Sequence, residues 1–217
     1  MSVRQNITVF RCTKDLSEVT APLIDCIATR IPHSEWYYGI DIDKRDKMVI
    51  FSGDSASHSG YLEYVLMGIL SAAETRPHLN GLEDEWKDRI AAPPLNLSIS
   101  LNRPLEDILR APIVEPVFFF FSNADPEWAK SIERSDQVTK YTAKGYVGSA
   151  WGWAADGVHH SSLGQAEGQC FVVISGWDSV EAHEAFRKTD EFKNARGRAR
   201  GLIKAVEWFH IHVDKAV

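Results

Sequence analysis

A chain of 217 residues with 44% apolar content can bury a sizeable core, and it has room for one large domain or two of about 100 residues. The formal net charge of -6, with no single basic run, excludes electrostatic attraction to nucleic acid or to an anionic membrane as a driving interaction. Cys12, Cys26 and Cys170 are odd in number and lack C-x-x-C spacing, and the start MSVRQNITVF has no apolar core of signal-peptide length, so a reduced, cytoplasmic protein without zinc or membrane contact is expected.

Residues 6–12 alternate as a strand, and Leu16, Val19, Leu23, Ile27 and Ile31 follow at helical spacing, with Pro22 in the first turn of a helix starting near Thr20. Residues 35–42 and 47–52 read as a hairpin around the polar turn at 43–46. Residues 61–73 are apolar almost all round and predict a buried helix; 79–90 predict a more polar one, and 95–101 a strand. Residues 103–115, with two prolines and no period, read as a linker between an N-terminal half, 1–102, and a C-terminal half, 116–217.

The second half opens with the apolar strand PVFFFF at 116–121, and Asp125-Pro126 then starts a helix whose buried side is Trp128, Ile132 and Val138. A strand at 146–154 leads into a glycine-containing loop, 155–168, that carries His159 and His160 and reads either as a lid over a cleft or as a solvated hairpin insertion. Residues 170–175 form an apolar strand. Asp178 or Ser179 then caps a helix that turns Ala182, Ala185, Phe186 and Thr189 inward, with Glu181, Glu184, Arg187 and Lys188 outward. Residues 206–213 supply the last strand.

The halves echo each other. Tyr38-Gly39-Ile40 answers Trp151-Gly152-Trp153, and the run from Val49 to Ser55 answers that from Val172 to Ser179 with one Trp inserted. The same βαββαβ order on each side predicts an α+β fold: tandem ferredoxin-like units closing face to face as an intrachain, pseudo-dimeric α/β barrel.

The strand ending Ile174-Ser175-Gly176-Trp177, the capped helix SVEAHEAF, the TDEF run at 189–192 and the final EWFHIHV together resemble the dimeric α/β-barrel proteins of the antibiotic biosynthesis monooxygenase (ABM) type, especially tandem fungal members. The resemblance implies a small cleft between sheet and helices. It also implies cofactor-free monooxygenation of aromatic or polyketide-like substrates, or cyclisation, dehydration or isomerisation by relatives of the same fold. One departure stands out. Where members of that family carry a helix His and a second His before a Phe, this chain has Phe186 and Glu191, and its helix imidazole, His183, sits one turn earlier.

Trp151 and Trp153 share one strand face by period two, as do Ser175 and Trp177 on the next strand. Such indoles build either a packed core or an apolar slot for a flat substrate, with each Nε1–H available to a carbonyl or enolate oxygen. His183, between Val180 and Phe186, is placed to remove a phenolic or α-carbonyl proton, or else bonds water or backbone. His210 and His212 point the same way from the last strand. A metal would need a third ligand that the sequence does not name, so none is expected. The catalytic candidates are therefore His183, Trp177 and His210, and the substrate-binding candidates Trp151, Trp153, Phe186, His212 and His159.

No nucleotide-binding or metalloprotease motif is present, and no cofactor is expected. The expected function is a cofactor-independent monooxygenase on an aromatic, polyketide- or terpenoid-like intermediate of secondary metabolism. Its partners would be that small molecule and molecular oxygen, with a homodimer as a further possibility. The alternatives are a cyclase, isomerase or dehydratase of the same fold, and a non-catalytic small-molecule-binding, stress-type protein.

Overall fold

A computed structural model describes residues 3–13, 16, 20–21, 24–25, 36–53, 90–197 and 202–215. The chain divides into two compact units, residues 4–97 with 214–217, and residues 98–213 with 1–3. The helix expected over 61–73, that over 79–90 apart from Ile90, which instead opens a strand, and most of the one over 16–31 lie outside the described residues; within the last, Thr20, Ala21, Ile24 and Asp25 are helical.

The N-terminal strands β1 (Val3–Cys12), β2 (Trp36–Asp41), β3 (Lys47–Gly53) and β4 (Ile90–Leu101), the last of which passes into the C-terminal unit at Ser98, follow the order β4-β1-β3-β2. β3 runs antiparallel to both neighbours. Its residues Met48 to Ser52 are all buried, which is why the sequence there is apolar at successive positions instead of alternating. The polar turn closes on Asp41, whose carboxylate accepts the Asp43 N–H at 3.0 Å and lies 3.5 Å from Lys47 Nζ.

In the C-terminal unit a short helix, α1 (Glu106–Leu109), precedes β5 (Ile113–Phe121), α2 (Pro126–Thr142), β6 (Tyr146–Trp153), β7 (Gln169–Trp177), α3 (Val180–Arg187), α4 (Asp190–Gly197), β8 (Ile203–Trp208) and β9 (Ile211–Lys215). β8 and β9 both pair with β5, and the order continues through β7 to β6, antiparallel throughout. This is the βαββαβ ferredoxin-like arrangement, and the strand order repeats that of the N-terminal unit, so the chain is an α+β tandem. The echo holds in register as well: Gly39 lies opposite Val49 in one unit and Gly152 opposite Val172 in the other.

Local chemistry sets the helix starts. The Asp125 carboxylate accepts the Glu127 N–H at 3.0 Å with Pro126 in the first turn, and Ser179 Oγ, rather than Asp178, accepts the Ala182 N–H at 3.1 Å.

Four expectations change. Ile113, Val114 and Glu115, read as linker, are the first residues of β5. Val138 is exposed, and the buried residue at that end of α2 is Thr139. On α3 the buried residues are His183 and Phe186, with Ala185 turned to solvent. The last strand is two, because Phe209 and His210 leave the ladder between Trp208, opposite Val117, and Ile211, opposite Val114. They stand across from Glu115 and Pro116. A proline has no N–H to give a ladder, so Pro116 can offer this stretch only its carbonyl. Among the described residues no helix is long and apolar enough to cross a membrane.

Candidate active site

One face of the C-terminal sheet presents Glu115, Val117, Phe119 and Phe121 from β5, Phe171, Val173, Ser175 and Trp177 from β7, and Ser149, Trp151 and Trp153 from β6, as strand period and register require. At one end of this face the large side chains meet. Phe121, Trp128, Trp151 and Phe171 form a buried cluster with Phe119 and Trp153, their rings edge to face, as for Phe121 and Trp153 at 5.2 Å. Towards the other end Ser149 and Ser175 leave space, and a cavity of about 480 Å³ lies between the sheet, β8 included, and residues of α2, α3 and α4. That volume lies in the range of small-molecule sites.

A polar row crosses the cavity floor. Glu115 stands opposite Ser175, and Ser175 opposite Ser149, so three strands each contribute one polar side chain at the same level. Ser175 Oγ donates to Glu115 Oε2 at 3.3 Å and accepts the Trp177 Nε1–H at 2.9 Å. His183, buried on α3, places Nε2 3.3 Å from the same carboxylate oxygen and Nδ1 2.8 Å from His210 Nε2. Burial, the His210 ring and the Arg187 charge push its pKa down to about 3, so the imidazole is neutral. In that state one orientation satisfies both contacts: His210 donates to Nδ1, and Nε2–H faces Glu115.

A second acidic point closes the other end of the row. Asp136, on the cavity side of α2 one turn after Ile132, accepts hydrogen bonds at Oδ1 from Tyr146 O–H and from Ser149 Oγ, the latter at 2.6 Å. Burial and the bond to Asp136 raise the Tyr146 pKa beyond its ordinary value, so its hydroxyl remains a donor. Arg103 Nε donates to the Ser149 carbonyl at 2.5 Å. Elsewhere on the cavity wall, the Arg187 guanidinium lies 4.3 Å over the Trp208 ring and donates to Glu184 at 2.8 Å.

Residues 154–198 match the model of the family described as Antibiotic biosynthesis monooxygenase. The C-terminal unit is ABM-like. Solved structures support the fold over the whole chain. An anthrone oxidase-like protein has a TM-score of 0.61 at 14% identity, covering 99% of this chain and 93% of its own. A candidate monooxygenase from Fusobacterium nucleatum has a TM-score of 0.56 at 10% identity, covering 99% and 94%. Another, from Lactobacillus acidophilus NCFM, has 0.53 at 11%, covering 100% and 95%. Among curated proteins none matches the sequence.

Within the ABM-like unit, His183, Trp177 and Phe186 line the cavity, and His210 reaches it through His183. The Trp177 Nε1–H is not available to a substrate, because Ser175 holds it. Trp151 and Trp153 belong to the aromatic cluster and do not line the cavity. His212 is exposed, with Nδ1 2.8 Å from the Pro112 carbonyl oxygen, and His159 is exposed on its loop. That loop is not a lid over this cavity. His160 stacks on Phe120 at 3.8 Å and bonds Glu207 at 2.9 Å, and by alternation both residues face away from the cavity.

Sequence reasoning missed Glu115, Asp136, Tyr146 and Ser149. Period two back from Trp151 marks Ser149, and one helical turn on from Ile132 marks Asp136. Glu115 carries no such local signal.

The donor atoms of Glu115, His183 and His210 lie within 4.8 Å of one another, so these three residues could hold a divalent cation in place of the proton between the imidazoles. In the N-terminal unit the corresponding row is Asn6, Ser52 and Trp36, so an amide replaces the carboxylate and a buried indole replaces Ser149.

Proposed function

We propose that the ABM-like unit is a cofactor-independent monooxygenase acting on a flat, enolisable phenolic ketone, an aromatic intermediate of polyketide- or terpenoid-like kind in secondary metabolism. The observation that carries this reading is the Glu115 carboxylate, buried beside neutral His183 on the wall of a largely apolar cavity. One similar structure is named for anthrone oxidase, and an anthrone is a tricyclic ketone with an acidic ring CH₂.

Glu115 takes a proton from that carbon, and the electron pair of the C–H bond remains on the substrate as an enolate. The enolate reduces oxygen, and loss of water from the resulting hydroperoxide gives the balance R₂CH₂ + O₂ → R₂C=O + H₂O. Arg187 offsets the developing negative charge, His183 and Ser175 hold the carboxylate in place, and the apolar walls exclude water. His183 acts here as hydrogen-bond partner, since an imidazole with a pKa near 3 is a weak base.

Turnover of anthrone under ¹⁸O₂ tests this. The reading predicts one labelled oxygen in the product ketone. An unlabelled product of unchanged mass contradicts it and favours the second reading, an isomerase or cyclase, since the same carboxylate can move protons without oxygen. Binding without any product favours a non-catalytic binding protein.

A further inference from the structure

The proton-transfer corner uses Glu115, His183, Ser175 and Trp177, and leaves Asp136 without a task. Both of its donors, Tyr146 and Ser149, use Oδ1, and among the described residues no donor reaches Oδ2. The residue lines the cavity. Two neighbouring hydroxyls pin one arm of the carboxylate and so orient the other, which is the arrangement that preorganises an acceptor for a ligand.

We propose that Asp136 is a second recognition point, and that Oδ2 accepts a hydrogen bond from an outer-ring hydroxyl of the substrate. This rests on the reading that the cavity takes a flat phenolic ketone, and it names what that ketone must carry. The distance is set by the sheet. The Asp136 carboxylate, reaching down from α2, is held by Ser149 on β6, and Glu115 lies on β5 with β7 between them, so the strands beneath the two acidic points are about 10 Å apart. The donor is a neutral hydroxyl rather than an ammonium group, because the guanidinium of Arg103, bonded to the Ser149 carbonyl and acting on Tyr146, already offsets negative charge at this end.

Asp136→Asn tests the subsite. The amide oxygen can still accept from Tyr146 and Ser149, while the second arm changes from acceptor to donor. Binding is read without oxygen, by quenching of tryptophan fluorescence, with 3-hydroxyanthrone and with anthrone. The expected result is at least a tenfold weaker grip of Asp136→Asn on 3-hydroxyanthrone, as for loss of one bond to a charged acceptor, and an unchanged grip on anthrone. Equal weakening of both probes, no weakening of either, or failure of the unaltered protein to bind 3-hydroxyanthrone overturns the proposal. So does an Asp136 dependence shown by 9-anthracenylmethylammonium in place of the hydroxylated probe. Asp136-dependent binding of a compound that is then never oxidised leaves the subsite standing and removes the oxygenase reading, so the two fail separately.

Discussion

A carboxylate buried beside an imidazole can be satisfied by taking the proton itself or by gathering donors. At Glu115 Ser175 is one donor, and the Nε2–H of His183, whose ring is kept neutral by burial, by His210 and by Arg187, faces the same oxygen. The consequence reaches beyond catalysis. An unfolded histidine binds its proton near pH 6.5, whereas the folded His183 resists protonation down to about 3, so in that window the unfolded chain holds a proton that the folded one lacks. Stability from this group is therefore fully present above about pH 6.5 and declines as the pH falls towards 3. Melting temperatures measured between pH 7 and 4 should fall, and fall less steeply in His183→Gln. Equal slopes in the two proteins would remove His183 from the account. At this scale the sequence was half legible. The capped helix and its period placed His183 and Trp177 near a cleft, but the burial that sets the charge of His183 comes from strands far along the chain.

Elements were easier to read than their edges. The apolar runs of β5 and β7, the Asp125-Pro126 start of α2 and the cap of α3 follow from local chemistry. Glu115 was missed because residues 103–115 carry two prolines, Pro104 and Pro112, and no period, which reads as a linker rather than a strand. The structure accommodates Pro116 by breaking the opposite ladder at Phe209 and His210, a non-local arrangement with no sequence signal. Gly152 offers a test at the scale of the element. The end of β4 runs beside β6, with Ala155 N–H donating to the Ser98 carbonyl at 2.7 Å and Asn102 N–H to the Trp151 carbonyl at 2.9 Å. A Cβ on Gly152 would overlap the Ser100 carbonyl oxygen between those bonds. Gly152→Ala should cost on the order of 2 kcal/mol, visible as a melting temperature lower by several degrees. An unchanged melting temperature would contradict this close approach.

Across the whole chain, duplication explains why two units share strand order and register but not chemistry. Ser52 and Ser175 occupy equivalent places, yet Ser175 donates to a carboxylate while Ser52 stands between Asn6 and the buried Trp36. The repeat was legible because Gly39 and Gly152 sit at matching ladder positions. The loss of the acidic row in the N-terminal unit was not, since it depends on which residues face one another. Ser175→Ala should lower kcat about tenfold by loosening Glu115, while Ser52→Ala leaves it unchanged. Equal losses from both substitutions would mean that the N-terminal unit also carries chemistry.

The most direct measurement is proton exchange without oxygen. With anthrone in D₂O under nitrogen, the unaltered protein should speed exchange of the ring CH₂ well above the buffer rate, and Glu115→Gln should lose that acceleration by a factor of about 10² or more. Exchange that persists in Glu115→Gln would contradict the assignment of proton removal to this carboxylate.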